Sequence, residues 1–154
     1  MKTSLLITIA VSELLLTGAA SAQEKKIKRS DLPPAVEKTV AAQSAGATIH
    51  GFSTEKEKGQ TFYEAEMMVN GHSRDLLIAA DGTVVEVEEQ VALDSLSPDV
   101  KAGLQAKAGK GKILKVESIT KKDKLVAYEA RVETDGKKSE VQVRPAGKPL
   151  DHEE

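Results

Sequence analysis

Internal repetition constrains this chain more than any other feature of its sequence. Leu32-Pro33-Pro34-Ala35-Val36 returns as Leu96-Ser97-Pro98-Asp99-Val100, sixty-four residues later, and Val40 returns as Leu104. Tyr63-Glu64-Ala65 returns as Tyr128-Glu129-Ala130 and Asn70-Gly71 as Asp135-Gly136, now sixty-five residues on. One inserted residue accounts for the change. A period of this length predicts two copies of one supersecondary unit.

Residues 1–22 read as an export signal. Lys2 gives a positive start, and Leu5 to Leu16 form an apolar run interrupted by Glu13. That run is too short to cross a hydrocarbon core of roughly 30 Å, and Ala20-Ser21-Ala22 supplies a small-x-small cleavage pattern. No later stretch is apolar and long enough for a span, so no membrane segment is expected after cleavage. The chain contains no cysteine, which excludes disulfide staples, thiol catalysis and lipid attachment through cysteine. The expected location is periplasmic or secreted.

The formal net charge is −2, with 30% of residues charged and the two signs mixed. That balance gives no footprint for nucleic acid or an anionic membrane. Aromatic residues are few: Phe52, Phe62 and Tyr63 lie in the first copy and Tyr128 in the second. A lone unit of about 60 residues buries only about 60% of its unfolded surface. Two such halves are therefore expected to share an interface.

Residues 23–30, with Lys25, Lys26, Lys28 and Arg29, read as a charged, solvated leader. Ser30 or Asp31 is placed to cap a helix entered through Pro33-Pro34, with Val36 and Val40 on its apolar stripe and an end near Gly46. In the second copy Ser95 or Ser97 caps, Pro98 enters, Val100 and Leu104 form the stripe, and Gly109 and Gly111 stop it. After each helix the hydrophobic period becomes two. Strands are predicted at 48–56, 62–69, 74–80 and 83–91, then at 113–121, 125–134 and 138–144. Asn70-Gly71 and Asp135-Gly136 are two-residue hairpin signals, because both turn positions need positive φ. The predicted fold class is α+β: two tandem repeats, 31–91 and 92–154, each one helix packed on a three- to four-stranded antiparallel meander. The second ends in Lys148-Pro149-Leu150 and an acidic tail.

These residues resemble the PepSY and PepSY-like domains, some of which are described as beta-lactamase-inhibitor-protein-like. In the first copy the resemblance is carried by Tyr63-Glu64-Ala65-Glu66, Asn70-Gly71 and Ala80-Asp81-Gly82-Thr83-Val84. Tyr128-Glu129-Ala130-Arg131-Val132 and Asp135-Gly136 carry it in the second, and it covers residues 31 to 150. The second copy departs from the pattern at Ala146-Gly147-Lys148-Pro149, which replaces Asp81-Gly82-Thr83-Val84. The resemblance implies a non-catalytic exported module that restrains a peptidase or binds another envelope protein.

The chemistry-bearing residues point the same way. His50, His72 and His152 lack metal-ligand spacing. Asp81-Gly82 lacks the spaced oxygens of a calcium loop, and the serines lack the Gly-x-Ser-x-Gly context of a nucleophile elbow. Ala108-Gly109-Lys110-Gly111-Lys112 follows a helix rather than a strand and reads as a helix stop. Glu86, Glu88 and Glu89 look like a cluster, but on a strand Glu86 and Glu88 share the outward face and read as solvated there. No catalytic, cofactor or metal residues are therefore expected. Tyr63 and Tyr128 read as rings packed under the helices, followed on the solvated face by Glu64 and Glu129. The hairpin tips Asn70, Gly71, Asp135 and Gly136, with that face, are the expected partner contacts. The alternative is a small-ligand or cation-binding envelope protein using the acidic strand faces.

Overall fold

The computed structural model describes residues 24–57 and 59–150. The expected signal and the acidic tail with His152 lie outside the described residues. Eight strands follow one another as an antiparallel meander: β1 (Lys25–Ile27), β2 (Thr48–Glu57), β3 (Gln60–Val69), β4 (His72–Ala79), β5 (Val84–Val91), β6 (Lys112–Lys121), β7 (Lys124–Thr134) and β8 (Lys137–Val143). Helix α1 (Pro34–Gln43) connects β1 to β2, and α2 (Pro98–Ala108) connects β5 to β6.

This topology corrects the expected pair of tandem helix-on-meander repeats. The register of β5 with β6 runs from Glu86–Lys121 to Val91–Val116, so all eight strands belong to one sheet. The physical reason lies in β5. As the last strand of a separate unit it would expose a valine-bearing edge of unpaired backbone groups, and β6 removes that edge. The segment expected as a solvated leader also contributes: Lys25, Lys26 and Ile27 pair with Thr54, Ser53 and Phe52 as an edge strand.

Both helices enter through proline, as the sequence implies, but their caps differ. Ser97 accepts a hydrogen bond from the Val100 amide at 3.3 Å. Helix α1 has no side-chain cap. Asp31 instead closes the preceding 3-10 turn, its carboxylate accepting from the Lys28 amide at 3.0 Å. Val36 and Val40 of α1 bury against Phe52, Ala65, Met67 and Leu76. Val100 and Leu104 of α2 bury against Val116, Ala130, Val132 and Val143. The two helices thus cover one face of the sheet, each over its own apolar cluster.

The final turn survives the sequence departure noted above. The Ala79 amide bonds the Thr83 carbonyl and the Gly82 amide bonds the Ala79 carbonyl, each at 2.8 Å. Arg144 to Lys148 and Gly147 to Arg144 repeat the pair at the same lengths. The last expected strand is reduced to a single bridge between Val143 and Pro149.

Candidate functional site

Strand parity sends alternate residues to opposite faces, and the register fixes which share the face without helices. Glu64 lies opposite Leu77, and Leu77 opposite Glu86. Glu66, Asp75, Glu88 and Ile119 form the next row, and Gln90, Glu117, Glu129 and Gln142 another. Phe62, Met68 and Leu77 are half-buried on this face. Ile119 is 1% exposed and Ala127 is fully buried here, although neither belongs to a helix-facing cluster.

The face is a trough rather than a plane. One cavity of about 340 Å³ takes lining residues from β2, β3, β4, β6 and β7, among them His50, Glu66, Met68, Asp75, Lys115 and Arg131. Neighbouring strands lie about 4.8 Å apart, so strands this distant share a cavity only if the sheet curls. The curl also buries polar side chains where no helix covers them: Ser53 is fully buried and Glu117 is 3% exposed.

Carboxylates dominate the trough. Oxygens of Asp75, Glu88 and Glu117, from three adjacent strands, lie within 4.8 Å of one another. Glu117 is neutralised, receiving Lys115 Nζ at 2.7 Å and the Ser73 hydroxyl at 3.0 Å. Asp75 and Glu88 have no side-chain hydrogen bond or ion pair among the described residues. Burial, reinforced by Glu64 and Glu117, pushes Asp75 up to about 6. Burial, reinforced by Glu129, Glu86, Glu117 and Asp75, pushes Glu88 up to about 8. Burial is the larger cause in both and disfavours the charged form. Glu64 and Glu129 are raised by burial too, opposed by hydrogen bonds from the Ser53 hydroxyl at 2.6 Å and the Gln142 amide at 2.8 Å.

The residues singled out in the sequence fall into three places. Tyr63 and Tyr128 turn to the helix side, each packed against its own apolar cluster. Glu64 and Glu129 stand on the trough. Asn70-Gly71 and Asp135-Gly136 form exposed two-residue turns with positive φ at all four positions. β3 and β7 run the same way, so both tips lie at one end of the sheet, four strands apart. The expectation that Glu86 and Glu88 are simply solvated is corrected by the curl, which leaves Glu88 largely desolvated. Asp75 and Glu117 were not foreseen at all. Their signal was present in the outward parity of Glu64, Glu66, Glu86, Glu88, Glu117 and Glu129, but it needed the β5–β6 register to become a cluster.

No family model and no curated protein matches the chain. Solved structures do resemble it. A candidate periplasmic protein from Bacteroides eggerthii superposes with a TM-score of 0.61 at 18% identity, over 77% of this chain and 86% of that one. A DUF2874 family protein from Bacteroides ovatus gives 0.58 at 21% identity, over 79% and 86%. A BLIP-like protein from Bacteroides fragilis gives 0.54 at 18% identity, over 77% and 83%. The chain therefore has a BLIP-like fold.

Proposed function

We propose that this protein is an exported, non-catalytic binding module that engages a partner protein through its helix-free trough. The carrying observation is the trough itself: half-buried Phe62, Met68 and Leu77 beside carboxylates that burial has stripped of water. Desolvated charge and uncovered apolar surface are costly in the free protein, and a partner that covers both offsets the cost. The signal-like N-terminus supports export, as does the periplasmic description of the B. eggerthii neighbour. An envelope peptidase is the partner class that the PepSY-like resemblance points to.

The test is capture of envelope proteins on immobilised wild-type protein and on Leu77→Arg, whose folding is checked by circular dichroism. A stoichiometric partner held by the wild type and lost on Leu77→Arg supports the reading. A partner held equally by both places the contact elsewhere. The cation-binding alternative has one observation behind it, the approach of Asp75, Glu88 and Glu117. A rise in melting temperature with calcium, lost in Glu88→Gln, would favour it, because a ligand that binds only the folded state stabilises it.

A further inference from the structure

Asparagine occurs once in this chain, at Asn70, and the residue after it is glycine. The pair forms the exposed corner between β3 and β4, with φ at +51° for Asn70 and +85° for Gly71. Val69 and His72 close the ladder beneath it. The Gly71 amide thus stands outside the sheet and makes no hydrogen bond among the described residues. Nothing lies within 4 Å of the place where a Cβ on Gly71 would stand. An asparagine side chain can react with the backbone nitrogen that follows it, which is one reason asparagine is thermolabile. The attack needs a nitrogen that is unbonded and uncrowded, and glycine crowds it least because it has no Cβ. Tips of this kind are also where a fold best tolerates change.

The second copy shows what a product would resemble. Its corner carries Asp135-Gly136 with φ at +53° and +79°, so this turn accepts an aspartate. There Asp135 receives Lys110 Nζ at 2.7 Å. Sixty-four residues before Lys110 stands Gly46, so a carboxylate at position 70 would lack that counter-charge.

We propose that Asn70 is a site of spontaneous modification, at which Asn70-Gly71 converts in the folded protein to aspartate and isoaspartate. The Gly71 nitrogen bonds to Asn70 Cγ, and the side-chain nitrogen leaves as ammonia, carrying the proton that the amide gives up. The cyclic imide then takes up one water from solvent. Breaking the bond from nitrogen to Cγ leaves aspartate. Breaking the bond from nitrogen to the backbone carbonyl carbon leaves isoaspartate, whose chain runs on through Cγ. Either product turns a neutral tip into an anionic one, on the same end of the sheet as Asp135. The change does not depend on which partner the protein engages.

The test follows the folded chain by isoelectric focusing, and by mass mapping of the peptide containing Asn70, during incubation at neutral and mildly alkaline pH. A species one charge more acidic is expected to accumulate, faster at the higher pH because the amide nitrogen attacks as its anion. Labelling by an isoaspartate methyltransferase is expected in the same peptide. Asn70→Gln is expected to lose both the species and the label, since its longer side chain closes a less favoured ring. Gly71→Ala is expected to slow both, with circular dichroism checking that each variant is folded. No acidic species from the folded chain would overturn the proposal, and its appearance in urea alone would show that the turn holds Asn70 out of reach. An acidic species formed equally in Asn70→Gln would overturn it too, because the charge would then come from another residue.

Discussion

At the scale of single residues, the balance at Glu88 decides how this protein responds to pH. Three carboxylates within 4.8 Å cannot all ionise cheaply, and one counter-charge, Lys115, is already engaged by Glu117. A carboxyl whose folded value lies above its unfolded value makes the folded state bind more protons, so stability falls as pH rises. For Asp75 the ordinary value is 3.8 and the folded value about 6; for Glu88 they are 4.5 and about 8. The Asp75 contribution is thus fully present below pH 3.8 and lost as pH rises to about 6, and the Glu88 contribution is fully present below pH 4.5 and lost as pH rises to about 8. Melting temperature measured across this range should decline toward alkaline pH, and Glu88→Gln should flatten the alkaline part. A flat wild-type profile would mean that these groups are solvated after all. The sequence showed the outward parity of Glu86 and Glu88 plainly. Their desolvation was not legible, because it depends on curvature contributed by strands far from them in the chain.

At the scale of elements, the turns were the most readable parts. Asn70-Gly71 and Asp135-Gly136 declare themselves because few residue pairs tolerate two positive φ angles in succession. Asp81-Gly82 declares a turn as well, but its packing against α1 comes only from the structure. The Thr39 hydroxyl donates to the Gly82 carbonyl at 2.6 Å, and a Cβ on Gly82 would lie 2.7 Å from the Ala35 carbonyl oxygen. With φ at +89° as well, Gly82→Ala should cost about 1–3 kcal/mol in chemical denaturation. Gly147, with φ at +76°, abuts the Asp99 carbonyl of α2 in the same manner, so Gly147→Ala should behave alike. No loss in either variant would show that the turns do not clamp the helices. Strand β1 was invisible in sequence for the opposite reason. Lys25-Lys26-Ile27 carries no alternation long enough to read, and it becomes a strand only because the edge of β2 offers partners.

At the scale of the whole molecule, the repeated pattern in the sequence predicted two tandem helix-on-meander units, and among the described residues a single eight-stranded sheet stands in their place. A duplicated motif is silent about whether its copies pair edge to edge. The six β5–β6 register pairs, from Glu86–Lys121 to Val91–Val116, join the apolar clusters under α1 and α2 into one sheet. Leu76 and Leu104, both fully buried in different clusters, should therefore report on one event. Leu76→Ala and Leu104→Ala should each cost about 2–5 kcal/mol and shift a single calorimetric transition. Two separated transitions would mean that the halves melt independently. The same continuity builds the trough, since Asp75, Glu88 and Glu117 come from β4, β5 and β6 and meet only across that pairing. The measurement that tests this account most directly is a site-resolved NMR titration of the side-chain carboxyl carbons in the free protein. The account predicts midpoints of about 8 for Glu88 and about 6 for Asp75. Midpoints near the ordinary 4.5 and 3.8 would contradict it, because the helix-free face would then be water-filled and in no need of a partner.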